Sequence, residues 1–232
     1  MSWTDRKSLE QIKKLRDEYN IKLFVETGTF RGINAAVHAN NFETVMTCEV
    51  NPEYYWQSKQ KVFPYVNVFV SLESSPAFLH RIKPLIQSTT TFIYLDAHFY
   101  DPSLPIADRW NIMKELEVLQ NTPCVIAIHD FDCGGMGHLT YDGQPLNFEF
   151  VRDALHKVYP SFHYYVNTRE TSETTTKEMI QNGEVPNLVL DDGTKDSIDF
   201  TWRSEMQCYR GILYCTPTEL DLNKFELFKL EA

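Results

Sequence analysis

Short, almost wholly apolar runs recur along this chain, and each is followed by a stretch with helical spacing. Residues 21–25, 45–49, 66–70, 92–96 and 124–128 read as strands. Residues 4–19 carry Leu9, Ile12, Leu15 and Tyr19 on one helical face, with Thr4 as the N-cap and Asp5 in the first turn. Residues 33–39, 51–61, 75–87 and 107–120 continue the series. Asn51-Pro52 and Ser75-Pro76 mark two helix starts, and Trp110, Met113, Leu116 and Leu119 share a face of the last helix. Strands without polar alternation belong in a sheet covered on both faces. Alternation of this kind predicts a doubly wound, mostly parallel α/β sheet with right-handed crossovers.

Past residue 128 the pattern loosens. Cys133-Gly134-Gly135-Met136-Gly137 reads as a loop, residues 147–158 as a helix and 162–166 as a sixth strand. The polar stretch 167–209 reads as an insertion or lid, and 211–215 as the last of seven strands. The 232 residues therefore make a single domain, with residues 1–20 as an N-terminal helix.

In such sheets a ligand sits beyond the carboxyl ends of the strands. The first of those ends is Glu26-Thr27-Gly28-Thr29-Phe30-Arg31-Gly32, a glycine-punctuated turn opening a small-residue helix. It differs from the three-glycine dinucleotide fingerprint because Glu26 stands at the first glycine position. A carboxylate there repels a pyrophosphate and suits a cationic or hydroxyl-bearing ligand. Glu49, Glu73, Asp96, His98, His129 and Asp130 stand at the ends of the following strands. Acids and histidines at successive strand ends are the composition of a reactive cleft.

Composition narrows the choice. The net charge of −10 argues against nucleic acid and against an anionic membrane surface as partners. Nothing behind Met1 resembles a signal peptide, and no run is long enough to span a bilayer. Five scattered cysteines without a CxxC pair fit a reducing, cytoplasmic setting with no structural zinc; Cys48, Cys124 and Cys215 read as core residues. A homo-oligomer is compatible with all of this.

From residue 21 to 166 the order of motifs resembles the class I S-adenosylmethionine-dependent methyltransferases, a Rossmann-like fold. The resemblance implies that Glu26, Thr27, Gly28, Thr29 and Gly32 form the cofactor turn. It implies that Glu49 holds the ribose hydroxyls, and that Glu73-Ser74 lies near the adenine, although a Gly-Asp-Ser is usual there. Leu95-Asp96-Ala97-His98 with His129-Asp130-Phe131 is similar to the macrocin-type small-molecule and sugar O-methyltransferases. In that group, acids at these places bind magnesium, so Asp96, His129 and Asp130 become candidate metal ligands for Mg or Mn. His129 replaces an aspartate and suits a softer ion.

The activity so implied is methyl transfer from S-adenosylmethionine to a small-molecule or sugar hydroxyl. It needs alignment and a base, and Asp96, His98 and His129 are the candidates. Tyr100, Trp110 and Phe131 either line an acceptor pocket or pack. His38, His80, His156 and His163 read as structural. Two other readings stay open: a metal-dependent hydrolase using the Asp/His cluster with Asp132 and His138, and a non-catalytic binding protein on the same scaffold.

Overall fold

The computed structural model describes residues 6–98, 103, 110–134, 140–141, 143–169, 181 and 210–231. Thr4, Asp5, Tyr100, Gly135, Met136, Gly137, His138, residues 107–109 and most of 167–209 lie outside these. The helices are α1 (Arg6–Tyr19), α2 (Ile33–Ala39), α3 (Pro52–Val62), α4 (Ser75–Ser88), α5 (Asn111–Val118), α6 (Phe148–Val158) and a short α7 (Leu222–Phe225). The strands are β1 (Leu23–Thr27), β2 (Thr44–Glu49), β3 (Val68–Leu72), β4 (Thr91–Leu95), β5 (Val125–Ile128), β6 (Thr140–Tyr141), β7 (Gln144–Pro145), β8 (His163–Val166), β9 (Leu213–Thr216) and β10 (Phe228–Leu230).

Eight strands form the main sheet in the order β10-β8-β9-β5-β4-β1-β2-β3, while β6 and β7 pair as a separate hairpin. The ladders β3-β2-β1-β4-β5 are parallel. β9 runs antiparallel to both β5 and β8, and β10 antiparallel to β8. The seven expected strands are all present. The eighth, β10, is a three-residue edge strand too short to carry a periodicity.

Strand residues alternate between two cores. Phe24, Tyr94, Ala127 and Tyr214 face one side with Ile12, Leu15, Ala35 and Ala36, beneath α1 and α2. Val25, Ile93, Leu95, Ile126 and Ile128 face the other with Phe78, Ile82, Leu116 and Leu155, beneath α4, α5 and α6. This is why the central strands β1, β4 and β5 are buried at every position. Local signals set the helix starts: the Asn51 side chain accepts from Glu53 N (2.8 Å), and the Asn147 side chain accepts from Phe150 N (3.0 Å).

Element bounds differ by a few residues from the sequence reading, and two of the differences have a visible cause. β3 begins at Val68, because Val66 stands 95% exposed in the connection before it. On α5 the buried arc is Ile112, Glu115 and Leu116, with Met113 only partly covered, so a glutamate lies inside the apolar face.

Candidate functional site

A cavity of about 620 Å³ opens at the carboxyl ends of β1, β2, β3 and β4. Its wall includes Gly28, Phe30, Cys48, Glu49, Tyr54, Glu73, Ser74, Asp96, Ala97, His98 and Asn111. The strand-end residues converge because parallel strands in register finish together: Thr27 lies beside Cys48 and Leu95.

The glycine turn is built to be compact. Gly28 and Thr29 donate their N–H groups to Cys48 O (3.1 and 2.9 Å), and Gly32 N donates to Thr29 O (2.8 Å). Phe30 N donates to a Glu49 carboxylate oxygen (2.9 Å), and Asn51 N donates to the other (2.8 Å). These turn N–H groups are spent internally, so the turn is not the anion cradle that a pyrophosphate needs. Glu49 stays on the cavity wall, and each of its oxygens keeps a lone pair for a further donor.

Several expected cofactor contacts stand behind this wall. Glu26 is completely buried; its carboxylate accepts from Asn34 Nδ2 (2.7 Å) and Thr47 Oγ1 (2.9 Å). Burial pushes its pKa up to about 7, against the pull of those donors. It ties β1 to α2 and β2 instead of facing a ligand. The Thr27 hydroxyl accepts from Asp96 N (3.1 Å) and Ala97 N (3.3 Å), fixing the tip of β4. Thr29 is buried.

Gly32 begins α2 at φ 77°, and a side chain there would press on Ser58 of α3, 3.0 Å away. Gly28 (φ 76°) lies on the wall, but an added Cβ would meet Ala97 Cα at 2.9 Å. A valine at 28 therefore strains the fold as well as filling the ligand's space.

Beside the cavity, β4 and β5 bring Asp96, His98, His129 and Asp130 together, with one ligating atom from each lying within 4.8 Å of the others. His129 Nδ1 is 2.9 Å from Asp96 Oδ1 and 3.6 Å from Asp130 Oδ1, and His98 Nε2 is 3.7 Å from Asp96 Oδ1. Arg210, just before β9, places Nε 2.7 Å from Asp130 Oδ1. Asp130 adopts a left-handed φ of 55°, a conformation that is uncommon away from glycine.

The charges are sorted by their neighbours. Burial favours a neutral Asp96, but His129 overrides it and holds the carboxyl at about 2. Burial opposes charge on His129 too, yet Asp130 and Asp96 raise its pKa. For His98 burial wins, and the pKa is lowered in spite of both aspartates. The two carboxyl groups thus face His129 and Arg210, the surroundings of His129 favour its protonated form, and those of His98 favour its neutral form.

Sequence reasoning missed Arg210 and Glu115. Arg210 follows a polar stretch without periodicity and carries no local signal. Glu115 is 1% exposed on α5, with its pKa pushed up to about 7 by burial. The Ser75 and Thr27 hydroxyls lie close enough to lower it somewhat, although neither carboxylate oxygen has a hydrogen bond of full geometry among the described residues. A charge inside the apolar arc was its signal.

Trp110 packs on Phe150 (5.2 Å between rings) and Phe131 is in the core, so both pack. Asp132 accepts from Gly134 N (2.8 Å), an Asx turn outside the cluster. Tyr100 and His138 lie outside the described residues.

No protein-family model matches this chain, and no curated protein sequence does. Solved structures do. A candidate sarcosine dimethylglycine methyltransferase from Galdieria sulphuraria is 12% identical, over 90% of this chain and 84% of its own, with a TM-score of 0.50. A candidate caffeoyl-CoA O-methyltransferase from Staphylococcus aureus is 18% identical over 71% of this chain and 79% of its own (TM-score 0.49). An O-methyltransferase from Bacillus cereus, solved with SAH, is 14% identical over 70% and 74% (TM-score 0.47). At such identity the likeness to the Galdieria protein shows the fold alone: a Rossmann-like methyltransferase sheet.

Proposed function

We propose that this protein is an S-adenosylmethionine-dependent methyltransferase acting on the hydroxyl of a small molecule or sugar. The observation that carries the reading is one wall: Gly28, Glu49 and Asp96, from the ends of three adjacent strands, line one cavity beside an Asp/His cluster. The fold, and the methyltransferase name of the Galdieria protein that shares it, support the class of reaction.

The chain's residues fit such a cofactor. Glu49 is an acceptor placed for a ribose diol, Glu73 and Ser74 border the same space, and the compact turn leaves room above Gly28 without a phosphate cradle. Glu26, Thr27, Thr29 and Gly32 shape the turn from behind. S-adenosylmethionine, when bound, supplies an electrophilic methyl group. His98 is the best-placed base, because it lines the cavity and its lowered pKa keeps the imidazole neutral. Asp96 and His129 then hold the cluster's charge, and Asp96 orients His129.

The same cluster fits a divalent cation. Its nearest donor separations, 2.9 to 3.7 Å, are those of ligands around one ion. The buried Asp96 Oδ2 has no hydrogen-bond partner among the described residues. Asp96, His98, His129 and Asp130 would hold the ion, and two imidazoles favour Mn or a softer metal over Mg. Its chemistry there would be to acidify a bound hydroxyl. This ligand set also supports a second reading, metal-dependent hydrolysis, which requires no affinity for S-adenosylmethionine.

Calorimetry with S-adenosylmethionine and its demethylated product separates the two. Binding is expected, and Glu49→Ala should weaken it by ~1–3 kcal/mol, the cost of losing hydrogen bonds to a charged group. Glu49→Gln should cost less, because its amide oxygen still accepts. Absence of heat with either cofactor form rules out the proposal.

A further inference from the structure

Glu115 is a buried carboxyl that the chemistry proposed above does not use. It lies on the buried face of α5, one turn after Asn111, so the two side chains project toward the same neighbours. Asn111 shows what those neighbours are: its Nδ2 donates to Ser75 Oγ (2.5 Å) and to Ala97 O (3.3 Å). Asn111, Ser75 and Ala97 all line the cavity, and Glu115 stands behind them.

Donors and acceptors give this carboxyl a task. Thr27 Oγ1 accepts from Asp96 N and Ala97 N, which takes both of its lone pairs and leaves its O–H to donate elsewhere. Thr27 is fully buried, where a hydroxyl without an acceptor is costly. Ser75 Oγ already accepts from Asn111 and has an O–H to place as well. Glu115 is the acidic group beside both hydroxyls, and neither of its oxygens is committed to another hydrogen bond among the described residues. The two arms end on one turn. The Thr27 arm reaches the N–H groups of Asp96 and Ala97, and the Ser75–Asn111 arm reaches the carbonyl of Ala97.

We propose that Glu115 is a positioning residue: from behind the cavity wall, through the Thr27 and Ser75 hydroxyls, it fixes the Asp96-Ala97-His98 turn that carries the Asp/His cluster. The part that this turn plays in methyl transfer rests on the function proposed above; the positioning does not.

Amide hydrogen exchange and the ring-nitrogen NMR signals of the histidines test this on the full chain, in the wild type, Glu115→Leu and Glu115→Gln. Glu115→Leu keeps the bulk and removes the acceptor. It should speed exchange at Asp96 and Ala97 about 10-fold relative to Ile93 and Ile126 in the buried centre of the sheet, the equivalent of one lost hydrogen bond. It should also shift the ring signals of His98 and His129 and leave that of the exposed His156 in place. Glu115→Gln keeps an accepting oxygen and should bring both readouts back close to the wild type. If Glu115 only fills space, leucine replaces it with no local change. A folded Glu115→Leu protein with wild-type exchange and ring signals overturns the proposal, as does a Glu115→Gln protein disturbed as much as Glu115→Leu. One measurement needs no variant: the Thr27 hydroxyl proton of the wild type should exchange slowly and show a nuclear Overhauser contact with the Glu115 side chain. A freely exchanging Thr27 hydroxyl overturns the proposal even if Glu115→Leu does not fold. Calorimetry with S-adenosylhomocysteine on the same wild-type sample judges the methyltransferase reading separately; no heat removes that reading, while exchange still decides the role of Glu115.

Discussion

Asp96→Asn should lower methyl transfer to a hydroxyl acceptor by roughly 10²- to 10⁴-fold, the range expected when acid–base positioning is lost. Asp96 is the residue that both histidines of the cluster use: His129 bonds it at 2.9 Å and His98 approaches it at 3.7 Å. Its charge, after that of Asp130, is among the reasons that the His129 pKa is raised against burial. Asparagine has the same shape and no charge, so it leaves Asp130 to balance His129 and Arg210 alone. If the cluster holds a metal, calorimetry with Mn or Zn should show affinity falling at least ~10-fold, since a charged ligand has gone. A chelator should then inhibit the wild type as strongly as the substitution does. If no metal is used, the chelator does nothing and the rate loss remains. Affinity for S-adenosylmethionine, which the proposal assigns chiefly to the Glu49 side of the cavity, should change much less in both cases. An Asp96→Asn protein that transfers at the wild-type rate removes the cluster from the mechanism.

The parallel half of the sheet was legible because its strands are apolar on both faces and its helices amphipathic. Residues 23–27, 91–95 and 125–128 are buried throughout, and that is what the unbroken runs reported. The meeting of Asp96 with His129 and Asp130 followed from the strand order that the resemblance implies, and the two adjacent parallel strands do end in register. Side-chain direction was not legible. Glu26 and Thr27 sit at a strand end, but β alternation and the tight turn send the Glu26 carboxylate inward to Asn34 and Thr47. A strand-end position tells which rim a residue occupies and leaves open which way it faces. Arg210 illustrates a second limit. Its role depends on β9 inserting next to β5, a contact 80 residues away in sequence from Asp130 that no local pattern records.

Three buried groups of the interior should give this protein a stability that depends on pH in two opposing ways. Glu115 and Glu26 have pKa values raised from 4.5 to about 7, so each is accommodated fully while protonated. Their stabilising contribution is present below pH 4.5 and is lost as pH rises through 7, by up to ~3 kcal/mol each. Glu115→Gln removes the titration while keeping the shape. It should stabilise by about 2–3 kcal/mol at pH 9, and by little at pH 4, where the native carboxyl is already neutral. His38 does the reverse. It is stacked 4.1 Å from Phe24, fully buried, with neither ring nitrogen hydrogen-bonded among the described residues. Burial first, then Lys13 and Arg16, lower its pKa to about 3. Stability from the neutral ring is complete above 6.5 and is lost as pH falls towards 3. His38→Phe fits the aromatic stack with Phe24 and Phe42, so its gain should grow from pH 7 to pH 4. Urea melts of both variants and the wild type at pH 4, 7 and 9 measure this. Opposite slopes of the stability difference with pH are the expected result. A Glu115→Gln difference that is flat across the range would show that the carboxyl titrates normally, reached by water in the folded protein.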